Sequence, residues 1–401
     1  MGPLSTRSCR SAFLLLLVVC LVIFHVYIIE HHHYPKLFVR QNTETGGTLY
    51  PNLQKLQIEI NETFHKFDKK RRFTGRVFDQ AVEDEEDKKN EKHYLISRQT
   101  VPRLPDCKQL PFLLVQVHST PENVMEREAI RMSWGRPENK INKVGRLNQK
   151  SPRLWRTVFL LGQTLNPKLD KLLQDEASIN GDMVFGNFID SYRNLTLKMA
   201  FGIEWAAKHC QAEYVLKADE DSFVNIHELV LWLDEHQRRK SDSPLYMGAI
   251  LITSKPVREL DSKYYVSVKE YPHSRYPPYA LGPGYVFSGD LLVNLSMALK
   301  IVKLFPNEDA CFGVLMRFLK VKLTYNERFL PFTMGKVTYW DLQGHSLCKF
   351  VEPLVIHRIS GKQQIQTHFN VLVLKHVPTI CQHIKSGIYG PDYEVEFQDY
   401  P

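Results

Sequence analysis

Short apolar runs alternate with segments of helical periodicity along the chain from residue 105 onward. The runs that predict buried strands cover 112–117, 157–161, 182–185 and 214–219. The segments that predict helices cover 121–134, 166–177, 195–208 and 226–237. Strands that alternate with helices at this spacing predict an α/β domain with a mostly parallel sheet of the nucleotide-binding type.

The second half of the domain has a less regular pattern. Strands are predicted over 245–252 and 264–268, and helices over 291–302 and 311–319. Between them, the prolines of 276–285 exclude a helix and predict a shaped loop, followed by a strand at 285–288. Two glycines of that loop, Gly282 and Gly284, permit close approach of the backbone to a ligand.

Acidic residues gather where the strand that begins at 214 stops. Asp219, Glu220 and Asp221 follow its apolar residues directly, at the sheet edge where ligands bind in open α/β folds. In an extended chain Asp219 and Asp221 point to one side and Glu220 to the other. This arrangement is suited to a divalent cation. The alternative is a solvated acidic turn that caps the helix predicted from 226.

A second pair of carboxylates, Glu308 and Asp309, lies at or just before the start of the predicted helix 311–319. The alternative to a chemical role is an ordinary acidic helix start that favours the helix dipole.

Basic residues precede a long apolar run near the amino terminus. Arg7 and Arg10 come before 11–29, whose one strongly polar side chain is His25, and the run is about as long as a membrane-spanning helix. A cleaved signal peptide is the alternative, but the run exceeds the usual ~7–15-residue core and no small-residue cleavage site follows it. The basic residues before the run predict a single-pass type II anchor with a cytosolic tail at 1–10.

The segment 30–104 carries charge blocks of both signs and predicts a solvated stem, with helical spacing at 53–67. The luminal domain then covers 105–401. Asn61, Asn194 and Asn294 begin glycosylation triplets. Five cysteines lie beyond the anchor, an odd number that leaves at least one outside any disulfide within the chain.

Composition limits the class of protein. With 43% apolar and 24% charged residues the chain is globular and not disordered throughout. The net charge of +8 is spread among acidic residues and forms no stripe, which disfavours a nucleic-acid partner.

Six ordered stretches resemble the β-1,3-glycosyltransferase family, which contains β-1,3-galactosyltransferases and β-1,3-N-acetylglucosaminyltransferases. They are REAIRMSWG at 127–135, FLLG at 159–162, FIDSYRNLTLK at 188–198, DEDSFVN at 219–225, YPPYALGPGYVFS at 276–288 and EDACFG at 308–313. The resemblance implies a GT-A nucleotide-sugar transferase fold, a UDP-sugar donor, a divalent metal, usually Mn²⁺, and inversion at the anomeric carbon.

The resemblance also implies roles for the acidic residues. Asp221 is expected to bind the metal, and Asp219 to contact the metal or the ribose. Asp309 is expected to be the base that takes the proton of the acceptor hydroxyl, because inversion in one displacement requires one. Glu308 is expected to hold the acceptor.

Three further side chains have two interpretations each. Arg131 contacts the nucleotide or forms an ion pair on its helix, and the same alternatives hold for Lys198. His357, after the apolar run 354–356, is a late metal ligand or a packed histidine.

These expectations predict a Golgi membrane enzyme with a luminal catalytic domain. It would transfer galactose from a UDP donor to the 3-hydroxyl of a glycan on a glycoprotein or glycolipid. N-acetylglucosamine is the alternative donor sugar. An inactive, glycan-binding or chaperone-like relative is the alternative of another class, and Asp219, Asp221 and Asp309 argue against it.

Overall fold

The computed structural model describes residues 49–75, 77, 105, 107–136, 140–141, 153–239, 243–331 and 350–376. The predicted cytosolic tail, the predicted anchor at 11–29 and much of the predicted stem lie outside them. Within the described residues no helix is both long and apolar enough to cross a membrane. The chain divides into two compact units, Met1–His65 with Met334–Glu352 and Phe369–Pro401, and Lys66–Thr333 with Pro353–His368.

Eleven strands are present in the described residues. They are β1 Leu113–His118, β2 Lys140–Ile141, β3 Arg153–Gln163, β4 Met183–Ile189, β5 Tyr214–Asp219, β6 Ser222–Val224, β7 Tyr246–Leu251, β8 Tyr279–Ser288, β9 Thr324–Tyr325, β10 Phe329–Leu330 and β11 Val355–His357. The main sheet has the order β2-β3-β1-β5-β8-β7-β9, and β4 also pairs with β3. Strands β4, β3, β1 and β5 run parallel, whereas β8 is antiparallel to β5 and β7. The predicted α/β sheet, mostly parallel, is confirmed.

Eight α-helices accompany these strands in the described part of the chain. They are α1 Leu49–Lys70, α2 Val124–Met132, α3 Pro167–Asn180, α4 Leu195–His209, α5 Ile226–Arg238, α6 Leu291–Ala298, α7 Glu308–Phe318 and α8 Lys362–His376. Each helix predicted from periodicity is present. The cap of α3 explains its start, because Asn166 accepts from the backbone of Lys168 and Leu169, with Pro167 in the first turn.

A small second sheet has the order β10-β11-β6. In it β11 runs antiparallel to β6, which pairs His357 with Ser222. Gly284 of β8 lets this sheet come close, because a Cβ there would lie 2.8 Å from Val355 Cγ1. Gly284, which was expected to allow close approach of a ligand, therefore allows close approach of strand β11 instead. This packing brings the end of β11 to the acidic turn after β5.

One strand prediction and one loop prediction were wrong. Tyr265, inside the predicted strand 264–268, forms only an isolated bridge to Val257. The predicted loop 276–285 is strand from Tyr279 onward. Pro283 has no backbone N–H to donate to a neighbouring strand. The strand tolerates it because the register between β7 and β8 shifts at this point, and a bulge does not need a regular backbone hydrogen bond from that residue.

One disulfide joins Cys107 and Cys210, which are separated by 103 residues. Cys311 is free and buried, and burial raises the pKa of its thiol to about 12. The protonated thiol is a packing group and not a nucleophile. Two further cysteines beyond the predicted anchor, Cys348 and Cys381, lie outside the described residues.

The three predicted glycosylation sites lie in different settings. Asn61 is within α1, and Asn294 is exposed within α6. Asn194 is half-buried, and its side chain donates to the carbonyl of Ile189. Their glycosylation remains a prediction.

Candidate active site

The acidic turn and the end of β11 form a cluster of three metal-type ligands, here called the metal corner. Asp219 is the last residue of β5, Asp221 lies in the turn before β6, and His357 ends β11. One ligand atom from each lies within 4.8 Å of the other two. The side chains of Asp219, Asp221 and His357 are 32%, 41% and 20% exposed, so the cluster is open on one side.

The imidazole of His357 is oriented for a ligand role. Its Nδ1 lies 2.8 Å from the carbonyl oxygen of Pro331, which can only accept, so Nδ1 carries the proton. Nε2 then faces Asp221 Oδ2 at 3.3 Å. A second hydrogen bond of this kind is what usually fixes a metal-binding histidine. Two carboxylates and one imidazole fit a hard divalent cation such as Mn²⁺.

Asp221 and His357 also shift each other's proton affinity. Burial alone would raise the pKa of Asp221, but the hydrogen bond and charge of His357 outweigh it and lower that pKa. Burial alone would lower the pKa of His357, but Asp221 outweighs it and raises that pKa. The Asp221 carboxylate is therefore held in its charged form, as a metal ligand must be.

Glu220 points away from the metal corner, as strand alternation predicts. It is buried, and it accepts from Ser119 Oγ at 2.6 Å, Thr120 N at 3.0 Å and Asn123 Nδ2 at 2.5 Å. Burial raises the pKa of Glu220, although the hydrogen bonds from these three donors act to lower it. Glu220 thus ties the acidic turn to the loop after β1, and Asn225, not an acid, is the cap residue of α5.

The second pair of carboxylates opens α7. Asn307, with φ of 86°, turns the chain so that the helix begins directly at Glu308. Asp309 Oδ2 accepts from the backbone N–H of Gly282 at 3.0 Å, and Oδ1 accepts from that of Ala310 at 2.8 Å. Burial raises the pKa of Asp309 in spite of these hydrogen bonds. Asp309 is consequently a stronger base than an ordinary aspartate.

Glu308 faces inward. It is 6% exposed and accepts from the hydroxyl of Tyr285 at 2.6 Å. Burial raises its pKa to about 7, although Lys217 opposes that shift. The expected role of Glu308 in holding the acceptor is not supported by these contacts, which bind it to the protein interior.

Lys217 links the two halves of the site and was not among the predicted site residues. Its Nζ lies 2.7 Å from Asp219 Oδ1, 3.2 Å from Glu308 Oε2 and 2.5 Å from the carbonyl oxygen of Gly282. Burial alone would lower its pKa, but Asp219 and Glu308 outweigh it and raise that pKa. The signal in the sequence was a lone lysine in an apolar strand, two residues before Asp219 and so on the same face.

Arg131 lies in a buried ion-pair cluster. Its Nε is 2.7 Å from Asp182 Oδ2 and its Nη1 is 2.7 Å from Glu176 Oε1, while the guanidinium lies over the ring of Phe159 at 4.8 Å. Its donors are directed at protein carboxylates. The geometry favours the ion-pair interpretation over nucleotide contact, with the pair buried and not on the helix surface.

The ammonium group of Lys198 also contacts protein groups. Its Nζ lies 2.6 Å from the carbonyl oxygen of Ser119 and 2.8 Å from Asp190 Oδ2. The side chain is 2% exposed. Lys198 therefore supports the loop after β1, the same loop that Glu220 contacts, and the geometry favours this ion pair over a nucleotide contact.

Comparison with known proteins shows the family to which the chain is similar. The family model described as galactosyltransferase matches residues 125–327, which contain Asp219, Asp221, Glu308 and Asp309 and end before His357. Beta-1,3-galactosyltransferase 1 of Mus musculus is 32% identical over 274 residues, 67% of this chain and 77% of the relative. Beta-1,3-galactosyltransferase 5 of Pan paniscus is 34% identical over 267 residues, 65% of this chain and 81% of the relative.

Among solved structures, the glycosyltransferase GlyE of Streptococcus pneumoniae TIGR4 is 11% identical and covers 72% of this chain and 66% of its own. The TM-score is 0.30, too low to establish a shared fold.

Proposed function

This chain belongs to the galactosyltransferase family, and from that premise we propose that it transfers galactose from a UDP donor to the 3-hydroxyl of a glycan acceptor. Its relatives beta-1,3-galactosyltransferase 1 and beta-1,3-galactosyltransferase 5 support the sugar and the linkage. The observation that carries the proposal is the direct connection, through Lys217 and Gly282, of the metal corner to Asp309. We further propose the GT-A fold, for which the α/β sheet with acids at the end of β5 is the support.

The metal corner would hold Mn²⁺ through Asp221 and His357, with Asp219 as a third ligand or as a contact to the ribose. When bound, the cation supplies positive charge that offsets the charge developing on the departing UDP. The residues of this chain prepare the corner. Pro331 fixes the His357 ring, and Glu220 fixes the turn that carries the two aspartates.

Asp309 would act as the base on the acceptor side. One carboxylate oxygen accepts the proton of the acceptor 3-hydroxyl as that oxygen forms its bond to the anomeric carbon. The bond from that carbon to the diphosphate oxygen breaks on the opposite face, so the configuration inverts. The backbone N–H groups of Gly282 and Ala310 hold the carboxylate in place.

We also propose that the enzyme is a single-pass type II Golgi membrane protein whose acceptors are glycans on glycoproteins or glycolipids. The apolar run 11–29 and the basic residues before it support the anchor. An inactive relative is disfavoured because both aspartates of the metal corner and Asp309 are retained.

The test uses the full-length chain in detergent with UDP-galactose, UDP-N-acetylglucosamine and UDP-N-acetylgalactosamine. We expect hydrolysis and transfer with UDP-galactose in the presence of Mn²⁺, and loss of both in excess EDTA. Activity that EDTA leaves undiminished would contradict the metal role. Preference for another UDP-sugar would overturn the galactose assignment and leave the transferase assignment standing.

A further inference from the structure

Two tyrosines, Tyr192 and Tyr264, form an exposed aromatic pair. Tyr192 and Tyr264 are 50% and 48% exposed. Their ring centroids lie 5.9 Å apart, with the planes at 80°. The ammonium of Lys263 lies 5.2 Å from the Tyr192 ring and 4.9 Å from the Tyr264 ring. Exposed aromatic rings at this spacing present a surface with both apolar faces and polar edges.

The segment that carries Tyr192 is held rigidly. It follows β4 and Asp190, whose carboxylate accepts from the backbone N–H of Gly162 at 2.6 Å and pairs with the buried Lys198. The turn from Tyr192 to Asn194 leads directly into α4. Tyr192 therefore lies in a short turn between β4 and α4, at the edge of the sheet, and not in a long loop.

The segment that carries Tyr264 is fastened to the first. Arg193 donates to the carbonyl of Tyr265 at 3.2 Å and pairs with Glu270 at 2.5 Å. Glu270 in turn accepts from the backbone and the hydroxyl of Ser267, each at 2.8 Å. These contacts hold the aromatic pair in one arrangement before any ligand arrives, which lowers the entropy lost on binding.

The aromatic pair lies at the same edge of the sheet as the reacting groups. Tyr192 follows the end of β4 and Asp219 ends β5, and these strands run parallel within the main sheet. Thr196, four residues after Tyr192, donates its hydroxyl to the carbonyl of Phe305 at 2.9 Å, four residues before Asp309. These contacts bring the segment of Tyr192 to the start of α7. In agreement, burial raises the pKa of Tyr192, and the charges of Asp309 and Asp219 raise it further.

We propose that the aromatic pair is the platform for the acceptor sugar, stacking against the C–H face of the hexopyranose whose hydroxyl meets Asp309. This inference rests on the proposed function. A pyranose presents apolar C–H groups on its faces and hydroxyls at its edge, which the ring faces and the Lys263 ammonium match. The base must touch the acceptor, so an open aromatic surface beside Asp309 belongs to the acceptor and not to the nucleotide.

The test is made on the full-length chain with Tyr192→Ala and Tyr264→Ala, and with Tyr192→Phe and Tyr264→Phe as ring-preserving variants. Methyl β-galactoside and methyl β-N-acetylglucosaminide serve as acceptors, because an aryl aglycone would itself stack. We expect the alanine variants to raise the acceptor KM about three- to tenfold. We expect the phenylalanine variants to stay within about twofold, and the KM for UDP-galactose to stay unchanged in all four.

Phe318→Ala is the matched control. Phe318 is 48% exposed and ends α7, about 14 Å along the helix from Asp309. We expect this variant to retain the wild-type acceptor KM. An acceptor KM unchanged in both alanine variants, or a donor KM raised to the same extent, would overturn the platform.

Two further readouts separate this inference from the proposed function. Hydrolysis of UDP-galactose without acceptor should be the same in the alanine variants as in the wild type, which also shows that they are folded. Saturation-transfer NMR of the methyl glycosides should show contact with the wild type and a loss in the alanine variants. If the methyl glycosides bind at the aromatic pair but the wild type transfers no galactose, the proposed function is contradicted and the acceptor platform is not. If the glycosides bind equally well to the alanine variants, the acceptor platform is overturned and the proposed function is not.

Discussion

Replacing Lys217 with methionine tests whether one buried ammonium holds the two halves of the site together. Methionine keeps the length and flexibility of the side chain and removes its charge. The substitution leaves Asp219, Glu308 and the carbonyl of Gly282 without their shared donor. The side chain of Lys217 is 5% exposed, so water cannot take its place without rearrangement.

The expected loss of stability follows from this burial. Removing one partner of a buried ion pair destabilises a protein by about 3–5 kcal/mol, because the other charge stays buried and unpaired. Glu308 moderates the loss, because its pKa is already raised to about 7 and its carboxyl takes up a proton once the ammonium is gone. We therefore expect about 3 kcal/mol, and folding at neutral pH is retained for a domain of ordinary stability.

The expected loss of activity is larger than the loss of stability suggests. Without Lys217, the Asp219 side chain and the backbone of Gly282 are no longer fixed relative to each other, and Gly282 holds Asp309. Misplacement of a catalytic group by about 1 Å lowers the rate by about 10²-fold. We expect kcat for transfer to fall by about that factor.

Urea unfolding and transfer kinetics measure both effects. Lys362→Met is the matched control, because Lys362 pairs with Asp68 at 3.0 Å while both side chains are about 30% exposed. We expect that control to lose less than about 1 kcal/mol and to keep the wild-type kcat. If Lys217→Met were no more destabilised than Lys362→Met and turned over normally, the linking role of Lys217 would be refuted.

Three further changes have defined outcomes. His357→Ala should weaken Mn²⁺ binding by at least about tenfold in calorimetry, because a metal ligand is lost, and unchanged affinity would remove His357 from the metal corner. Cys107→Ser opens a loop closed across 103 residues, so urea unfolding should show a loss of about 3–5 kcal/mol, and reduced wild type should match the variant. Burial raises the pKa of Glu126 from its usual 4.5 to about 7, so the wild type loses stability as the pH rises from about 4.5 to about 7, where the unfolded chain has released this proton and the folded chain still holds it. Glu126→Gln cannot ionise, so its stability relative to the wild type, measured by urea unfolding in EDTA, should rise by about 2 kcal/mol between pH 5 and pH 8; an equal difference at both pH values would contradict this.

Much of the fold could be read from local patterns. The buried strands β1 and β5 are continuous apolar runs, and the acids that end β5 stand out because they follow such a run directly. Alternation correctly separated Glu220 from the two aspartates. The helix predicted over 311–319 is present as α7, which begins three residues earlier, at Glu308.

Features that depend on tertiary pairing could not be read this way. Pro283 lies in a strand because a bulge opposite β7 accommodates it, and no local pattern indicates that register shift. Two partners of Arg131, Glu176 of α3 and Asp182 just before β4, lie more than forty residues away in the chain. Cysteine spacing does not specify the pairing of Cys107 with Cys210, because the residues between them form the sheet that brings them together.

The substitution Asp309→Asn tests the central claim most directly. It preserves the shape of the side chain and an oxygen that can accept from Gly282, but it removes the base. Transfer from UDP-galactose in Mn²⁺ is measured together with the Kd of UDP. The account predicts that transfer falls by about 10²- to 10⁴-fold while the Kd of UDP stays within about twofold of wild type. Transfer at the wild-type rate would contradict the assignment of Asp309 as the base.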